Sequence, residues 1–423
     1  MKRSFALSVL FMFVFAGVSF AGAAPDKIVI GHPACLSGKY AKAGEQAVGG
    51  IKACVDWVNN VNGGVEIGGK KVPLEYKFYD CESKKEAVTS LIGRLITVDK
   101  VDVVFAPYSS GLTLRGAPVA ESHQMLYLDH GGANNKIFQQ GFRYTVQTIG
   151  PATSYHMGTL DMIHKIDPDA KKVALAYEDS EFAKMVMEGA RDHAKELGFE
   201  IVFERTYPKG VTDLTPLLSA LKASKADFVL GGGHFEDGQL FNRQMADLDI
   251  NVNALSLIAA ATLPAFYDAL TTMAEGVMGP SHWEYGVKYS AEEAKATGLP
   301  WIGPSQDEFM ALFRKATDED MLPDYHAAEA GAQVLAYVLG VQDADSVDSG
   351  KVRAALGDLE FMSFYGGWAV DDSGLQVGHT MVDVQWQDGE RVIVWPEEAR
   401  TGEVCYPMPT FQEKVKGVKA VPK

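Results

Sequence analysis

Residues 27–60 read KIVIGHPACLSGKYAKAGEQAVGGIKACVDWVNN. The apolar, β-branched residues 28–30 precede a run of turn residues, so they predict a buried strand. Residues 36–38, Leu-Ser-Gly, predict a tight turn, and from Glu45 to Asn59 the apolar residues fall at helical spacing. A strand, a small-residue turn and a helix in this order indicate a parallel α/β sheet with a loop at the carboxyl end of its first strand. Open sheets of this kind bind ligands at that edge.

The same alternation continues to about residue 259, which predicts an α/β fold class with mostly parallel sheets flanked by helices. Gly150-Pro151 interrupts the pattern before it restarts, so two α/β units are expected. Beyond residue 280 the pattern is less regular and closes in a β-ribbon. The predicted strands are 74–79, 101–105, 125–128, 173–177, 201–207, 228–230 and 254–257, with ribbon arms 381–386 and 391–395. The predicted helices are 85–97, 113–122, 152–165, 182–197, 214–222, 238–248, 306–317, 325–339 and 349–356.

The N-terminus predicts export. A basic Met1-Lys2-Arg3 is followed by an apolar run over residues 5–20 and by small residues 21–24, which together predict a cleaved signal peptide, residues 1–24. The chain of 423 residues is long enough for two domains. Its formal net charge of −16 argues against nucleic acid or anionic lipid as a partner.

The chain has four cysteines, which in an exported protein predict one or two disulfides. Cys54 lies on the first predicted helix and Cys81 follows the second predicted strand, so we expect these two to pair. Spacing leaves open whether Cys35 pairs with Cys405.

Motifs for catalysis are missing from the sequence. There is no phosphate-binding loop of the Walker type, zinc-protease helix, Cys-x-x-Cys pair or Gly-x-Ser-x-Gly turn, and the ten histidines show no metal-ligand spacing. We therefore expect a protein that is not an enzyme and that carries no metal and no cofactor.

Small and polar residues follow five of the predicted strands. Backbone N–H groups of small residues and the N-terminus of the next helix together favour an anion such as a carboxylate. Serine and glycine are also common in such turns for structural reasons, but five loops at one edge favour a ligand site. These loops are residues 37–38, 108–111, 130–134, 179–182 and 234–237.

With these loops, two α/β halves and a signal peptide, the chain over residues 26–398 resembles the leucine/isoleucine/valine-binding family of periplasmic proteins. The most telling segments are residues 36–38, 80–83, 109–110, 131–132 and 227–239. The resemblance implies two lobes joined by three crossovers, with the ligand between them. The first lobe would take residues 26–147 and 279–377, the second residues 148–278 and 378–398, and residues 399–423 would form a C-terminal tail.

The resemblance also implies which residues bind the ligand. The loop at Ser109 and the loop at Gly131 would hold a carboxylate, Phe182 would stack on the ligand, and Tyr325 would form a wall. His234 or Gly233 stands where the family has a second tyrosine, and Glu236 is a candidate partner for an ammonium group. The complete set is Tyr108, Ser109, Ser110, Gly131, Gly132, Ala133, Asn134, Phe182, His234, Glu236 and Tyr325.

Three positions depart from the family pattern. Ala133 replaces a usual threonine, Ala43 replaces a large aromatic residue, and residues 258–261, Ile-Ala-Ala-Ala, lack the usual acid that pairs with the ligand's ammonium. Either another acid (Glu236, Asp237, Glu181 or Asp179) takes that place, or the ligand has no amino group.

The resemblance implies a periplasmic solute-binding component of an ATP-driven importer, and we expect it to be a monomer. It would capture an amino acid by hinge closure and present it to a membrane permease. The alternatives are a binding protein for a non-amino acid such as an aromatic acid, a ligand-presenting sensor, and a periplasmic hydrolase that uses His130 or His234. Trp283 is expected either to overhang the cleft or to lie in the core.

Overall fold

The computed structural model describes residues 24–318 and 320–422, so residues 1–23 of the predicted signal peptide lie outside the described residues. Within the described part the chain forms sixteen strands and thirteen α-helices. The strands are β1 (Ile28–Ala34), β2 (Val65–Ile67), β3 (Lys70–Val72), β4 (Leu74–Asp80), β5 (Val103–Phe105), β6 (Tyr127–Asp129), β7 (Thr145–Gln147), β8 (Lys172–Glu178), β9 (Glu200–Tyr207), β10 (Phe228–Gly232), β11 (Ala254–Leu257), β12 (Met278–Ser281), β13 (Phe361–Ser363), β14 (Gly366–Trp368), β15 (Val382–Gln387) and β16 (Glu390–Trp395).

The helices cover both faces of the sheets, as parallel strands require. They are α1 (Ala41–Asp56), α2 (Lys85–Thr97), α3 (Ser110–Ser122), α4 (Met157–Ile166), α5 (Glu181–Glu196), α6 (Thr215–Ser224), α7 (Phe235–Asp247), α8 (Pro264–Leu270), α9 (Ala291–Thr297), α10 (Gln306–Ala316), α11 (Tyr325–Ala344), α12 (Ser349–Asp358) and α13 (Phe411–Val415). Among the helices of residues 24–318 and 320–422, none combines the length and apolar character needed to cross a membrane.

Two sheets form the centres of two lobes. The first sheet has the strand order β4-β1-β5-β6-β7 and is parallel throughout. The second has the order β16-β15-β12-β11-β10-β8-β9; it is parallel from β9 to β12, and the ribbon β15–β16 adds antiparallel strands at its edge. Carboxyl ends of the parallel strands meet at one edge of each sheet, which gathers the loops that follow them.

Strand β1 shows how the sequence builds the first lobe. All seven of its residues are buried, with Ile28 and Ile30 in the main core and Val29 in a smaller core on the opposite face. Alternate residues of a strand point to opposite faces, so this central strand is apolar on both sides. The core on the Ile28 side is covered by α1 and α11.

Helices α1 and α11 cross at close range because glycine stands at the contact. A Cβ on Gly50 would lie 1.9 Å from the carbonyl oxygen of Ala327, and a Cβ on Gly331 would lie 2.9 Å from Cys54 Sγ. No side chain fits in this space. The crossing fixes α11, which carries Tyr325 at its N-terminus, against the helix that follows the first strand loop.

The sequence prediction located most elements and missed the shortest ones. The helix expected over residues 152–165 is a 3-10 turn, Ala152–Ser154, followed by α4. The hairpin β2–β3, the three-residue strand β7 and the pair β13–β14 were not predicted, because strands of three residues carry too little alternation to be recognised. Trp283 lies in the core, where its Nε1 donates to the carbonyl oxygen of Phe364 at 2.9 Å.

The structure contradicts the expected Cys54–Cys81 disulfide. Cys54 is not in a disulfide and lies at the α1–α11 crossing. Cys81 lies instead beside Cys35, with 3.1 Å between the two sulfur atoms. The cause is the register of β1 and β4, in which Ala34 is opposite Asp80, so that the residues after these strands become neighbours. The prediction failed because Cys54 faces α11 rather than β4.

Candidate functional site

The two lobes meet at the carboxyl edges of their sheets, and the predicted loops lie at this contact. The Tyr108 hydroxyl from the first lobe hydrogen-bonds to Nδ1 of His234 from the second at 3.2 Å. The Asn134 amide donates to the carbonyl oxygen of Glu181 across the same contact. Lys39, in the loop after β1, forms an ion pair with Glu178 at the end of β8. The described conformation is therefore closed.

Aromatic rings form a continuous wall between the lobes. Phe182 stacks on His234 with ring centroids 5.6 Å apart, and Tyr155 meets the edge of Phe182 at 5.2 Å. His282 lies between Tyr155, at 5.0 Å, and Tyr325, at 5.4 Å. The site thus combines the predicted Phe182, His234 and Tyr325 with two residues that the sequence did not single out, Tyr155 and His282.

Tyr40 is a further residue of this wall that the sequence analysis missed. Its ring lies 4.9 Å from His234 and 5.5 Å from Tyr108, and its hydroxyl is hydrogen-bonded to Ser109. Tyr40 is only three positions after Ser37. It would have been found if the loop at Ser37 had been taken to include the next aromatic residue. Tyr155 follows the interruption at residues 150–151 and carried no comparable signal.

The serine loop joins the end of β5 to α3. Ser109 is the N-cap of α3, yet its hydroxyl makes no capping hydrogen bond and meets Tyr40 instead. The Ser110 hydroxyl accepts a hydrogen bond from the Asn134 backbone N–H at 3.2 Å, which ties this loop to the one after β6. Both serines are buried. Ser109 is therefore a polar group of the wall and not a structural cap.

The glycine loop after β6 already has an internal acceptor. The carboxylate of Asp129 accepts hydrogen bonds from the backbone N–H groups of Gly131, at 3.1 Å, and Gly132, at 2.7 Å. Burial raises the pKa of Asp129 to about 7, although these hydrogen bonds oppose the rise. The two amides that were expected to hold a ligand carboxylate thus hold a side chain of the protein. Glycine is required here, since a Cβ on Gly132 would lie 2.5 Å from Asp129 Oδ2.

The acids proposed as substitutes for the missing carboxylate at residues 258–261 differ in position. Glu236 is exposed, as are Glu181 and Asp179. Asp237 is buried, but its carboxylate accepts hydrogen bonds from the Tyr207 hydroxyl, at 2.7 Å, and from the His234 backbone N–H, at 3.0 Å. Burial raises the pKa of Asp237 to about 6. None of the four has a carboxylate that is both buried and without a partner.

Helix α11 brings a fifth acid to the site. Glu329 lies one turn beyond Tyr325 and has no exposed surface. The sequence analysis did not select Glu329, although an acid among the alanines of a buried helix is unusual. His130, which was predicted from the same loop as Gly131, lies with Nδ1 at 3.9 Å from Glu329. Burial lowers the pKa of His130, so this histidine is neutral.

An open groove of about 550 Å³ lies beside this contact and contains none of the predicted ligand residues. Its walls come from α8, α10 and the ribbon, and they include the ion pair of Glu284 with Arg391, in which Nη1 of Arg391 lies 3.3 Å from Oε2 of Glu284. Within residues 24–318 and 320–422, no cluster of three His, Cys, Asp or Glu side chains could hold a metal ion.

Comparisons with known proteins agree on one family. The sequence profile described as "Periplasmic binding protein" matches residues 27–391. The chain is 26% identical over 387 residues to the Leu/Ile/Val-binding protein homolog 8 of Brucella abortus, which covers 88% of this chain and 91% of that protein.

Two solved structures show the same fold at lower identity. One is the branched-chain amino acid transporter substrate-binding protein LivJ from Streptococcus pneumoniae in complex with isoleucine. It has a TM-score of 0.73 and 22% identity, with 90% of this chain and all of that chain covered. The other is a solute-binding protein of an ABC transporter from R. palustris in complex with benzoate. It has a TM-score of 0.73 and 18% identity, with 91% of this chain and 98% of that chain covered.

Proposed function

The chain belongs to the periplasmic binding protein family, and from that premise we propose that it is the solute-binding component of an ABC importer. It captures a small carboxylate-bearing solute between its lobes and delivers it to a membrane permease. Hinge motion opens and closes the site, because ligand contacts from both lobes stabilise the closed form. The periplasmic location follows from the family, and we infer that residues 1–24 direct export and are removed.

The observation that carries this proposal is the set of contacts across the lobes. Tyr108 with His234, and Lys39 with Glu178, join residues of two separate sheets at their carboxyl edges. Rings of Phe182 and Tyr325 line the same place. Side chains that converge from two lobes onto one buried, aromatic and polar region are typical of a small-molecule site.

We propose that the Ser109 hydroxyl donates a hydrogen bond to the ligand's carboxylate. This hydroxyl is not used as a helix cap, and it lies in the wall beside Tyr40. The Gly131 and Gly132 amides take part only indirectly, since Asp129 holds them and thereby sets the shape of the loop. We further propose that Phe182, His234 and Tyr325 contact the remainder of the ligand, and that exposed Glu236 does not.

Amino acids are the first ligand class that we propose, and non-amino carboxylic acids are the second. The second class is kept because residues 258–261 are buried and apolar and supply no carboxylate for an ammonium group. The relatives named above include one bound to isoleucine and one bound to benzoate. A periplasmic hydrolase predicts turnover, so recovery of chemically unchanged ligand after long incubation would exclude it.

A thermal-shift screen of the mature protein, residues 25–423, tests the proposal. A true ligand raises the unfolding temperature by mass action, and calorimetry then gives its Kd. Ser109→Ala should weaken binding of any carboxylate hit about 10- to 100-fold, because a hydrogen bond to a charged group contributes about 1.5–3 kcal/mol. Ser122→Ala, at the exposed end of the same helix, is the matched control. If no amino acid, aromatic acid or aliphatic acid shifts the transition, the transport proposal fails.

The remaining features of the proposal concern organisation. We propose a first lobe of residues 26–147 and 282–377 and a second of residues 148–281 and 378–398; the boundary expected at residue 279 moves to 282 because Met278–Ser281 form β12 of the second sheet. Residues 399–422 pack on the second lobe, since Met408 and Phe411 lie in the core of that lobe. The protein acts as a monomer, which sedimentation with and without ligand would test. Pull-down from membranes would separate a permease from a receptor as the partner.

A further inference from the structure

Glu329 has no partner in the closed structure. Its side chain has no exposed surface, and neither carboxylate oxygen makes a hydrogen bond to the described residues. The nearest basic atom is Nδ1 of His130 at 3.9 Å, which is beyond hydrogen-bond range. His130 itself is fully buried and lies against the backbone of Ala106. Buried carboxylates are normally hydrogen-bonded or paired, because desolvating an unpaired charge is costly.

Tyrosines from both lobes surround this carboxyl group. Burial is the main cause of the raised pKa values of four tyrosines, and the charge of Glu329 raises these pKa values further. The four are Tyr108, Tyr155, Tyr325 and Tyr365. The Tyr108 hydroxyl reaches His234 of the second lobe. Glu329 lies one turn beyond Tyr325 on α11 and 3.9 Å from Nδ1 of His130 in the loop after β6, which places it beside the ligand wall.

Other buried polar atoms in the same region also lack hydrogen-bond partners among the described residues. Both ring nitrogens of His282 and the hydroxyl of Tyr365 are buried and make no hydrogen bond among the described residues. His282 contacts Tyr325, and His379 stacks on Tyr365 at 4.2 Å. Native interiors leave few polar atoms unsatisfied, so this group of unsatisfied atoms favours a polar ligand as their partner.

We propose that Glu329 receives the amino group of the ligand, and so supplies from the first lobe the negative charge that residues 258–261 lack. This inference rests on the proposed function and selects amine-bearing carboxylates, such as amino acids, over acids without an amine. The ammonium N–H groups would donate to the carboxylate of Glu329. Tyrosine rings beside it add their negative faces to the attraction for a cation.

Proton release follows from this arrangement. Burial raises the pKa of Glu329 well above its usual range, and the charges of Asp324 and Asp129 raise it further. The other titratable groups facing it are His130 and the four tyrosines named above, all neutral near pH 7. This shift favours the protonated form of Glu329 in the free protein, whereas a bound ammonium favours the carboxylate, so binding of an amine should release a proton from Glu329. Affinity for amines rises with pH, by at most tenfold per unit, until the free carboxyl is ionised.

Calorimetry with paired probes tests the inference. L-leucine and L-phenylalanine are compared with 4-methylpentanoate and 3-phenylpropanoate, which differ from them only by the missing amine. Wild type should bind the amino acids more tightly. Glu329→Gln should weaken amino acid binding about 10- to 100-fold and change binding of the amine-free acids less than threefold. Glu86→Gln, an exposed acid in the first turn of α2, is the matched control.

A second measurement needs no variant. Titration of wild type with the amino acid in phosphate and in Tris, which differ in ionisation enthalpy, should reveal release of about one proton per ligand bound. Three results would each overturn the inference. Glu329→Gln could weaken binding of both probe classes equally, wild type could bind the amine-free acids more tightly, or amino acids could bind without proton release. If wild type binds none of the four probes but binds another carboxylate, only the inference about Glu329 fails. If it binds no carboxylate at all, the proposed function fails with it.

The cysteine pair supports a second, independent inference. Cys35 and Cys81 follow neighbouring parallel strands, and their sulfur atoms lie 3.1 Å apart in a buried position. Adjacent strands lie about 4.8 Å apart, which is within the Cα separations that disulfides span. The geometry points to a Cys35–Cys81 disulfide in the exported protein.

Formation of this bond requires an oxidant, here a disulfide such as oxidised glutathione. The thiolate of Cys81 attacks one sulfur of oxidised glutathione. It displaces one glutathione thiolate, and Cys35 then attacks the mixed disulfide and displaces the second. Each cysteine loses one proton and one electron, and two glutathione thiols form. Since both sulfurs are buried in the folded protein, the reaction occurs during folding.

Peptide mapping tests this second inference. The reduced, denatured chain is refolded with oxidised and reduced glutathione, alkylated and digested without reduction. A cross-linked peptide containing Cys35 and Cys81 is expected, and it should disappear in Cys35→Ser. Recovery of both cysteines as alkylated thiols, or of either one joined to Cys54, would overturn the assignment.

Discussion

The ion pair of Lys39 with Glu178 should control how long a ligand stays bound. It joins the loop after β1 in the first lobe to the end of β8 in the second. Opening of the hinge would separate the two groups and let water reach both. Burial alone would lower the pKa of Lys39, but the hydrogen bond and charge of Glu178 outweigh it and the pKa is raised. Lys39 is therefore charged at neutral pH, and its contribution is lost on the alkaline side as the pH rises through its raised pKa.

The magnitude follows from burial of the two partners. Glu178 has no exposed side-chain surface, whereas Lys39 retains 23%. Breaking a fully buried pair costs about 3–5 kcal/mol, and exposed pairs contribute about 0–1 kcal/mol. We therefore expect Lys39→Ala to destabilise the closed form by about 1–3 kcal/mol. Affinity should fall about 10- to 100-fold, mainly through faster dissociation.

Stopped-flow and calorimetric measurements on the best ligand of the screen give both quantities. Lys42→Ala is the control, because Lys42 pairs with Glu45 on the surface and retains 60% exposure. A double-mutant cycle with Glu178→Gln would isolate the pairwise energy from the neighbouring contact of His234 with Glu178 at 3.6 Å. Equal dissociation rates in wild type and Lys39→Ala would refute the role of this pair in closure.

Three further outcomes can be checked. In a thermal melt, Gly50→Ala should lower the unfolding temperature by several degrees or prevent folding, because the new Cβ would meet the carbonyl oxygen of Ala327. Gly93→Ala is the control: there is open space around Gly93, so this change should be neutral or slightly stabilising. Burial raises the pKa values of Asp129 and Asp383 to about 7. The free energy of unfolding, measured by urea titration, should therefore decrease as the pH rises from about 4 to 7. Asp383→Asn should make this decrease with pH smaller. Phe182→Ala should weaken ligand binding about tenfold by calorimetry while leaving the unliganded melting temperature within a few degrees; unchanged affinity would remove Phe182 from the site.

Local sequence patterns were sufficient for most of the fold. The bounds of α2 and β11 match the prediction, since both elements have clear periodicity and turn residues at their ends. The N-terminus of α7 was placed three residues late, at residue 238 instead of Phe235. His234 and Asp237 form a capping box there, which a search for apolar spacing does not detect.

Details of the site depended on contacts between distant segments. The loops after β5, β6, β8 and β10 were predicted from their small residues, and these loops do lie at the contact between the lobes. Capture of the Gly131 and Gly132 amides by Asp129 could not be anticipated, because it depends on how the loop turns back. The position of Glu329 depends on the crossing of α11 over α1, which joins segments about 280 residues apart, and no local pattern reports such a contact.

The chain order of α11 has a consequence for biosynthesis. With α1 it covers one face of the first sheet, as the contact of Phe105 with Tyr337 illustrates, yet residues 148–324 separate it from β7. A ribosome releases the N-terminal segments first, so this face of the sheet stays uncovered until residues 148–324 and α11 itself have been synthesised. The ribbon β15–β16 and α13, which complete the second lobe, emerge later still. Neither lobe can reach its final core before nearly the entire chain is available, which delays stable folding until translocation is almost finished.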